Sequence, residues 1–296
     1  MKRKINAVGT GTLTVSLPSK WAQRLGIKKG DEVDVEEQGD ALIIGGRATT
    51  QKKTADLSVT GGNWFYIRSL LNSMYRGGVD EVNVTVSSPE LMMEVQKAVS
   101  GGLAYEFFQL DERTALVKNI VAAFDLDIPK MMQKMVHITN TLHQLTVTSM
   151  KSGVFDQYDY VQTLRHSLLG YRNIICRILL TNRLFDNKNF SYYNIVFPIA
   201  NIGGQYRRMY ERNKDHPKRH SPAEITFADD MLQYFNDTVG RKKPNKYLHE
   251  HFYKLSDEVM RLLDKNNTNK QTLANELMIL RYIQSTTSHF MLLEMS

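Results

Sequence analysis

The apolar residues of this chain change their period near residue 120. Before that point they occupy every second position, as in Leu13, Val15 and Leu17 and again in Val82, Val84 and Val86, the spacing of a strand that buries one face. Beyond about residue 125 they recur at steps of three and four: Met131, Met135, Ile138, Leu142 and Leu145, then Ile195, Ile199, Ile202, Tyr206 and Met209, then Leu248, Phe252, Leu255, Val259 and Leu262. That is the stripe of an amphipathic helix. A strand-period pattern does not settle as a helix, nor the reverse. The fold class is therefore α+β, with the strands gathered ahead of an all-α remainder.

Punctuation divides the first part in two. Residues 1–47 read as short strands and turns around one short helix, with Pro18 in its first turn, an apolar stripe of Trp21, Ala22 and Leu25, and Gly26 at its left-handed end. A segment this short lies close to the lower limit of roughly 40 residues for a self-sufficient core, so it is expected to complete its core with a second copy, as a homodimer. Residues 54–120 alternate strand-like and helix-like stretches and form a small α/β domain, with Ser88-Pro89 opening one helix and Gly77-Gly78 ending another. Residues 125–296 give six helices. The polar, proline-bearing stretch Glu211–Pro222 divides them into two three-helix units, about 125–212 and 222–296.

Charge narrows the function. The 296 residues carry a formal net charge of +7, which is compatible with a polyanionic partner. Within the first module the basic residues Lys2, Arg3, Lys4, Lys20, Arg24, Lys28 and Lys29 precede Asp31, and the acidic Asp31, Glu32, Asp34, Glu36, Glu37 and Asp40 follow it. This reads equally as two faces of opposite sign, one fit for phosphates, or as a solvated surface of compensating charges. Cys176 is the single cysteine, so an intrachain disulfide and a thiolate metal site are excluded and a reducing cytoplasm is expected. No apolar run reaches the ~18 residues of a membrane span, and the start lacks a signal peptide's apolar stretch.

Val8-Gly9-Thr10-Gly11-Thr12-Leu13-Thr14-Val15-Ser16-Leu17-Pro18, followed by Trp21, Leu25-Gly26-Ile27 and Lys29-Gly30-Asp31-Glu32-Val33, resembles the SpoVT/AbrB swapped-hairpin domain across residues 2–46. The resemblance implies two chains that interleave their hairpins and present basic residues to DNA. It implies such roles for Arg3, Lys4, Lys20 and Arg24; with Lys2 added, these are expected to contact phosphates and base edges, and Thr10 and Thr12 to supply hydroxyl contacts. Some members of that family use the fold to dimerise or to hold a partner protein.

The helical region is similar to PhoU, the regulator of phosphate uptake, in the archaeal arrangement that places an AbrB-like module ahead of it. Tyr105-Glu106-Phe107-Phe108, Val117-Lys118-Asn119-Ile120, the stretch Ile174–Leu180 and Ile199-Ala200-Asn201-Ile202 carry this resemblance. The family's metal-holding carboxylates have no counterpart where Leu169, Asn201, Ser285 and His289 stand, so no metal or other cofactor is expected. His249 and His251 are two apart and point to different helix faces. No serine lies in a Gly-x-Ser-x-Gly turn, and Gly9-Thr10-Gly11 lacks the rest of a phosphate-loop signature, so no enzyme is expected. The cluster Arg207, Arg208, Arg212, Lys214, Lys218 and Arg219 reads as solvated loop charge; the alternative is contact with an acidic partner or polyanion through Arg207, Arg208 and Arg212.

The expected function is a DNA-binding transcriptional regulator linked to uptake of phosphate or a related nutrient. Its AbrB-like dimer would contact DNA and its PhoU-like helices would dock a signalling partner. The rival is a dimeric adaptor that binds no DNA and regulates a phosphate transporter or sensor kinase by protein contact.

Overall fold

The computed structural model describes residues 2–9, 11–38, 41–45, 52–100, 105–120, 127–181, 187–217, 220–240, 243–266 and 268–295. The chain divides into two compact units, Met1–Lys52 and Lys53–Ser296.

The first unit is two hairpins joined through a helix. Strand β1 (Ile5–Val8) pairs antiparallel with β2 (Thr12–Val15) in the register Ile5↔Val15 and Val8↔Thr12. Gly9 at φ +69° and Gly11 at φ +114° supply the reversal, in backbone that a β-carbon resists. Helix α1 (Ser19–Arg24) starts behind Pro18, whose carbonyl accepts from the amides of Trp21 and Ala22, and the chain leaves it through Gly26 in the expected left-handed conformation, φ +67°. Strands β3 (Asp34–Gln38) and β4 (Ala41–Gly45) form the second hairpin, Asp34 opposite Gly45. Among the described residues of this unit none is buried; Trp21, Ala22 and Leu25 are half-buried, and both faces of β1 and β2 are exposed.

The second unit opens with a four-stranded sheet in the order β5-β6-β8-β7. β5 (Thr54–Val59) and β6 (Glu81–Val86) run parallel, joined by helix α2 (Trp64–Arg76), as a crossover connection requires. β8 (Thr114–Asn119) lies antiparallel to β6, and β7 (Tyr105–Gln109) antiparallel to β8. Helix α3 (Pro89–Val99) packs beside α2 and against β6 and β7. Val82, Val84 and Val86 all point into this core. Ser88 and Pro89 begin α3 as the sequence indicates, but the Ser88 hydroxyl engages Glu90, whose carboxyl it holds below its ordinary range, and makes no cap bond to a backbone amide.

Six helices complete the unit: α4 (Ile128–Ser152), α5 (Tyr158–Thr181), α6 (Asn187–Asp215), α7 (Pro222–Gly240), α8 (Asn245–Asp264) and α9 (Lys270–Met295). α4, α5 and α6 pack on one another, as do α7, α8 and α9, and the pairing of α6 with α9 is the most extensive of all. Every residue of the stripe Leu248, Phe252, Leu255, Val259 and Leu262 is buried, and so are Met131, Met135, Ile138 and Leu142, with Leu145 half-buried. Gly203, inside α6, permits the crossing of three helices: a β-carbon there would stand 2.3 Å from Leu168 and 3.1 Å from Leu142. The expected linker from Glu211 is shorter than the composition indicated. α6, which already accommodates Pro198, continues past Glu211 to Asp215, with no further proline until Pro217.

Arg177 of α5 joins the helices to the sheet layer. Its guanidinium donates to the carbonyls of Tyr75 at 2.7 Å, Val79 at 2.8 Å and Gly78 at 3.2 Å, pairs with the Asp80 carboxylate, and lies 4.8 Å from the Tyr75 ring centre. It thereby satisfies the carbonyls that α2 leaves open at its C-terminal end. Asn173 adds a bond from its amide to Asn72 at 2.8 Å.

A second polar feature lies among α6, α7 and α9. Ser221 and Glu224 form a reciprocal capping box at the start of α7, and the other Glu224 oxygen accepts from the Asn269 amide. Glu276 of α9, fully enclosed, has no hydrogen-bond partner for either oxygen among the described residues. Burial, and secondarily the Glu224 charge, push its carboxyl well above the ordinary value of 4.5, so it is held as the neutral acid.

Two outcomes follow for stability. Arg177→Ala takes the ion-pair partner from Asp80 and one donor from each of the Tyr75, Gly78 and Val79 carbonyls and should destabilise the second unit by roughly 3 kcal/mol in urea unfolding, with Arg177→Lys recovering part, since a point ammonium replaces a planar fork. Glu276 should make stability fall with rising pH. Its pKa is raised on folding, so as pH climbs past about 4.5 the unfolded chain releases the proton first, and the folded state loses up to ~1.4 kcal/mol per pH unit until the folded pKa is passed. A Glu276→Gln variant followed by thermal melting should lose this slope, gaining on the wild type between pH 5 and pH 7 by about 3–5 °C per pH unit.

Candidate functional site

Two cationic features meet the requirements of a site, and each is confined to one unit. In the first unit, Lys2, Arg3 and Lys4 precede β1, and Lys20 and Arg24 lie on α1; all five are exposed, and among the described residues none is paired with a carboxylate. The register Ile5↔Val15 puts Lys4 at the open end of the first hairpin, where the chain runs on through Ser16-Leu17-Pro18 towards α1. Thr12 faces Val8 at the turn end, about 13 Å of strand away, and Thr10 lies outside the described residues. One protomer therefore does not gather the predicted DNA contacts at one place: the described lysines and arginines belong to the open end and α1, Thr12 to the turn end. The acidic run starts at Asp31, whose carboxylate accepts from the Lys28 amide at 2.7 Å and fixes the turn into β3.

The same unit exposes apolar side chains that ordinary surfaces keep covered. Ile5 is 67%, Leu13 70%, Val35 58% and Leu42 65% accessible, spread over both hairpins. A unit with no buried residue among those described gains little from the hydrophobic effect in isolation, and such a surface calls for a covering partner.

The second feature is a cavity of about 740 Å³ between α2, α5 and α6. Arg68 and Arg76 stand two turns apart on α2 with Asn72 between them, and Arg165 and Arg172 two turns apart on α5, so each pair shares a helix face. Arg207 and Arg208 come from α6, and Glu211 is the one carboxylate lining the space. The expectation of loop charge fails for these residues: Arg207, Arg208 and Arg212 all lie on α6, and the first two face the cavity while Arg212 turns to the Gln271 carbonyl.

Most of these guanidiniums are held in place by groups that leave their charge unneutralised. Arg68 donates to the carbonyls of Ala98 at 2.9 Å and Ser100 at 2.8 Å, closing the end of α3, and stacks 4.8 Å from the Trp64 ring centre. Arg165 donates to the Ala200 carbonyl at 2.6 Å and lies flat on α6 over Gly204, where a β-carbon would meet it at 3.1 Å. Arg76 and Arg172 share the Asn173 side-chain oxygen and flank the Phe197 ring. Glu211 is occupied by Arg207 at 3.2 Å and by the Tyr158 hydroxyl. Burial, followed by the charges of Arg172, Arg207 and Arg208, pushes Arg165 down to about 9; burial, then Arg76, pushes Arg172 down to about 10. His166 is lowered by burial and by Arg68, Arg165 and Arg207, which holds it neutral near pH 7. The arrangement presents an excess of fixed positive charge to whatever enters the space.

Sequence reading missed Arg68, Arg76, Arg165 and Arg172. A signal was present in the seven- and eight-residue spacings, but the cavity exists only because α2 and α5, about a hundred residues apart, are brought face to face. Leu169 lines this cavity. Among the described residues no group of three or more His, Cys, Asp and Glu side chains could hold a metal ion, and no helix is long and apolar enough to cross a membrane. His249 and His251 are engaged edge-on with Tyr253 and with Tyr234 and Tyr247 respectively.

Compared with known proteins, residues 7–54 match the family model described as "Antidote-toxin recognition MazE, bacterial antitoxin". The N-terminal module is accordingly a MazE/AbrB-like domain of the swapped-hairpin type, consistent with its two hairpins about a short helix. No curated protein and no solved structure matches the chain.

Proposed function

We propose that the chain is a DNA-binding transcriptional regulator that works as a homodimer, its N-terminal modules interleaved and its helical region free to receive a signal. The observation that carries this reading is the set of exposed cations Lys2, Arg3, Lys4, Lys20 and Arg24, none paired with a carboxylate among the described residues, within a MazE/AbrB-like module. Doubled in a dimer, five cations per chain neutralise enough phosphates for strongly salt-dependent binding. Dimerisation also covers Ile5, Leu13, Val35 and Leu42 and brings two copies of the open-end lysines and arginines to one DNA, which a single protomer does not do with its own threonine turn. The connection to phosphate or a related nutrient rests on the resemblance of the helical region to PhoU, with a transporter or signalling protein as its partner. No catalytic role is assigned to any residue.

A second reading is favoured by the description of the matching family, which names recognition of a protein partner. On that reading the module pairs the chains and holds another protein through its apolar hairpins, as an adaptor or antitoxin.

Fluorescence anisotropy of the full chain on promoter-length duplexes across a salt series separates the two. The regulator reading predicts binding that weakens on the order of a thousandfold between 50 and 200 mM salt and is lost on Arg3→Glu/Lys4→Glu. Absence of binding at low salt, or binding indifferent to that charge reversal, assigns the module to protein recognition.

A further inference from the structure

Six arginines and one glutamate line the cavity between α2, α5 and α6, and the glutamate is already taken by Arg207 and Tyr158. Folding does not explain such a collection, since like charges gathered in a partly desolvated space oppose it. We infer that the cavity is a binding site for a small molecule carrying two or more linked phosphoryl groups.

Several observations converge on that class. The cations are all arginines, whose planar forks match the oxygens of phosphoryl groups two at a time. A donor stands ready: Arg208 is exposed, lines the cavity and has no ion pair among the described residues. Arg165 uses its guanidinium on a single backbone carbonyl and is set in position by the bare surface of Gly204, so the site is organised before anything enters it. A volume of about 740 Å³ lies within the roughly 300–1,000 Å³ of small-molecule sites. An excess of five positive charges, six arginines less Glu211, calls for several negative charges in that space, which linked phosphoryl groups carry at the highest density. Phe65, 68% exposed on the rim, offers a ring for stacking, so a nucleotide and an inorganic oligophosphate are two sources of one chemistry. The inference goes beyond the DNA reading and does not depend on it.

Isothermal titration calorimetry of the full chain at fixed ionic strength, with sodium tripolyphosphate, orthophosphate and ATP, tests it. Tripolyphosphate should bind once per chain and at least tenfold tighter than orthophosphate. Arg208→Gln, an exposed change that leaves the fold intact, should weaken it about tenfold, and the pair Arg165→Gln/Arg172→Gln a hundredfold or more; Lys188→Glu, an exposed charge on α6 away from the cavity lining, should leave it unchanged. ATP equal to tripolyphosphate identifies the phosphoryl chain as the whole determinant, and ATP tighter adds the Phe65 rim; either supports the site. Three results would overturn it: no binding of tripolyphosphate, equal weakening by Arg208→Gln and Lys188→Glu, or displacement of tripolyphosphate from the Arg3→Glu/Lys4→Glu chain by a duplex oligonucleotide, which would make the cavity a nucleic-acid contact.

Discussion

The guanidinium of Arg177 determines how the second unit is put together. It comes from near the C-terminal end of α5, reaches the carbonyls at the far end of α2, and closes an ion pair with Asp80 at the head of β6. With that bond set made, α2 is fixed at once to the sheet below it and to α5 beside it, and Asn173 to Asn72 extends the seam by one turn. Arg68, Asn72 and Arg76 then face Arg165 and Arg172 across the space that α6 closes. The cavity is thus a product of one buried joint, made where a helix terminus needs cations, and the charged walls sit where the joint leaves the helices no apolar partner. The fit of α6 against α4 and α5 depends in turn on Gly203, and the seating of Arg165 on Gly204: adjacent glycines, one serving the packing and the other the site.

The N-terminal unit is governed by the opposite condition. Its strands have the alternation of half-buried β-structure, yet neither face of β1 or β2 is covered within the chain. Hydrogen-bonded hairpins of four or five residues are marginal in water without a hydrophobic face to bury. The same segment carries unpaired cations ahead of the first strand and on α1, so what completes its core also concentrates its charge. Dimerisation and polyanion binding are in this sense one requirement.

How legible these features were in the sequence depended on whether they are local. The helices of the second unit were read from spacing alone, and the stripe from Leu248 to Leu262 is buried at every predicted position, because a 3.6-residue period is a property of one segment. Gly26 at a helix end and the glycines about Thr10 were legible for the same reason, being dictated by their own backbone. The end of α6 lies beyond the point where composition marks a loop, because a charged helix face that looks into a cavity has the same composition as a solvated linker. Arg177 was visible as an arginine inside the apolar run from Ile174 to Leu180, a residue that no apolar environment tolerates without acceptors, but nothing in the sequence says that the acceptors are at the end of α2. The cavity arginines were illegible for that reason: periodicity reveals which residues share a face and is silent on which faces meet. Glu276 likewise looks like any polar residue of an amphipathic helix until three helices enclose it.

The account assigns the exposed hairpins to a second copy of the chain, and everything proposed for the N-terminal module follows from that pairing. Sedimentation equilibrium of the full chain at micromolar concentration, beside a Leu13→Asp/Leu42→Asp variant, tests it most directly. The account predicts twice the chain mass for the wild type and a single chain for the variant, with the second unit still folded. A wild-type chain that sediments as a monomer over the whole concentration range would contradict it.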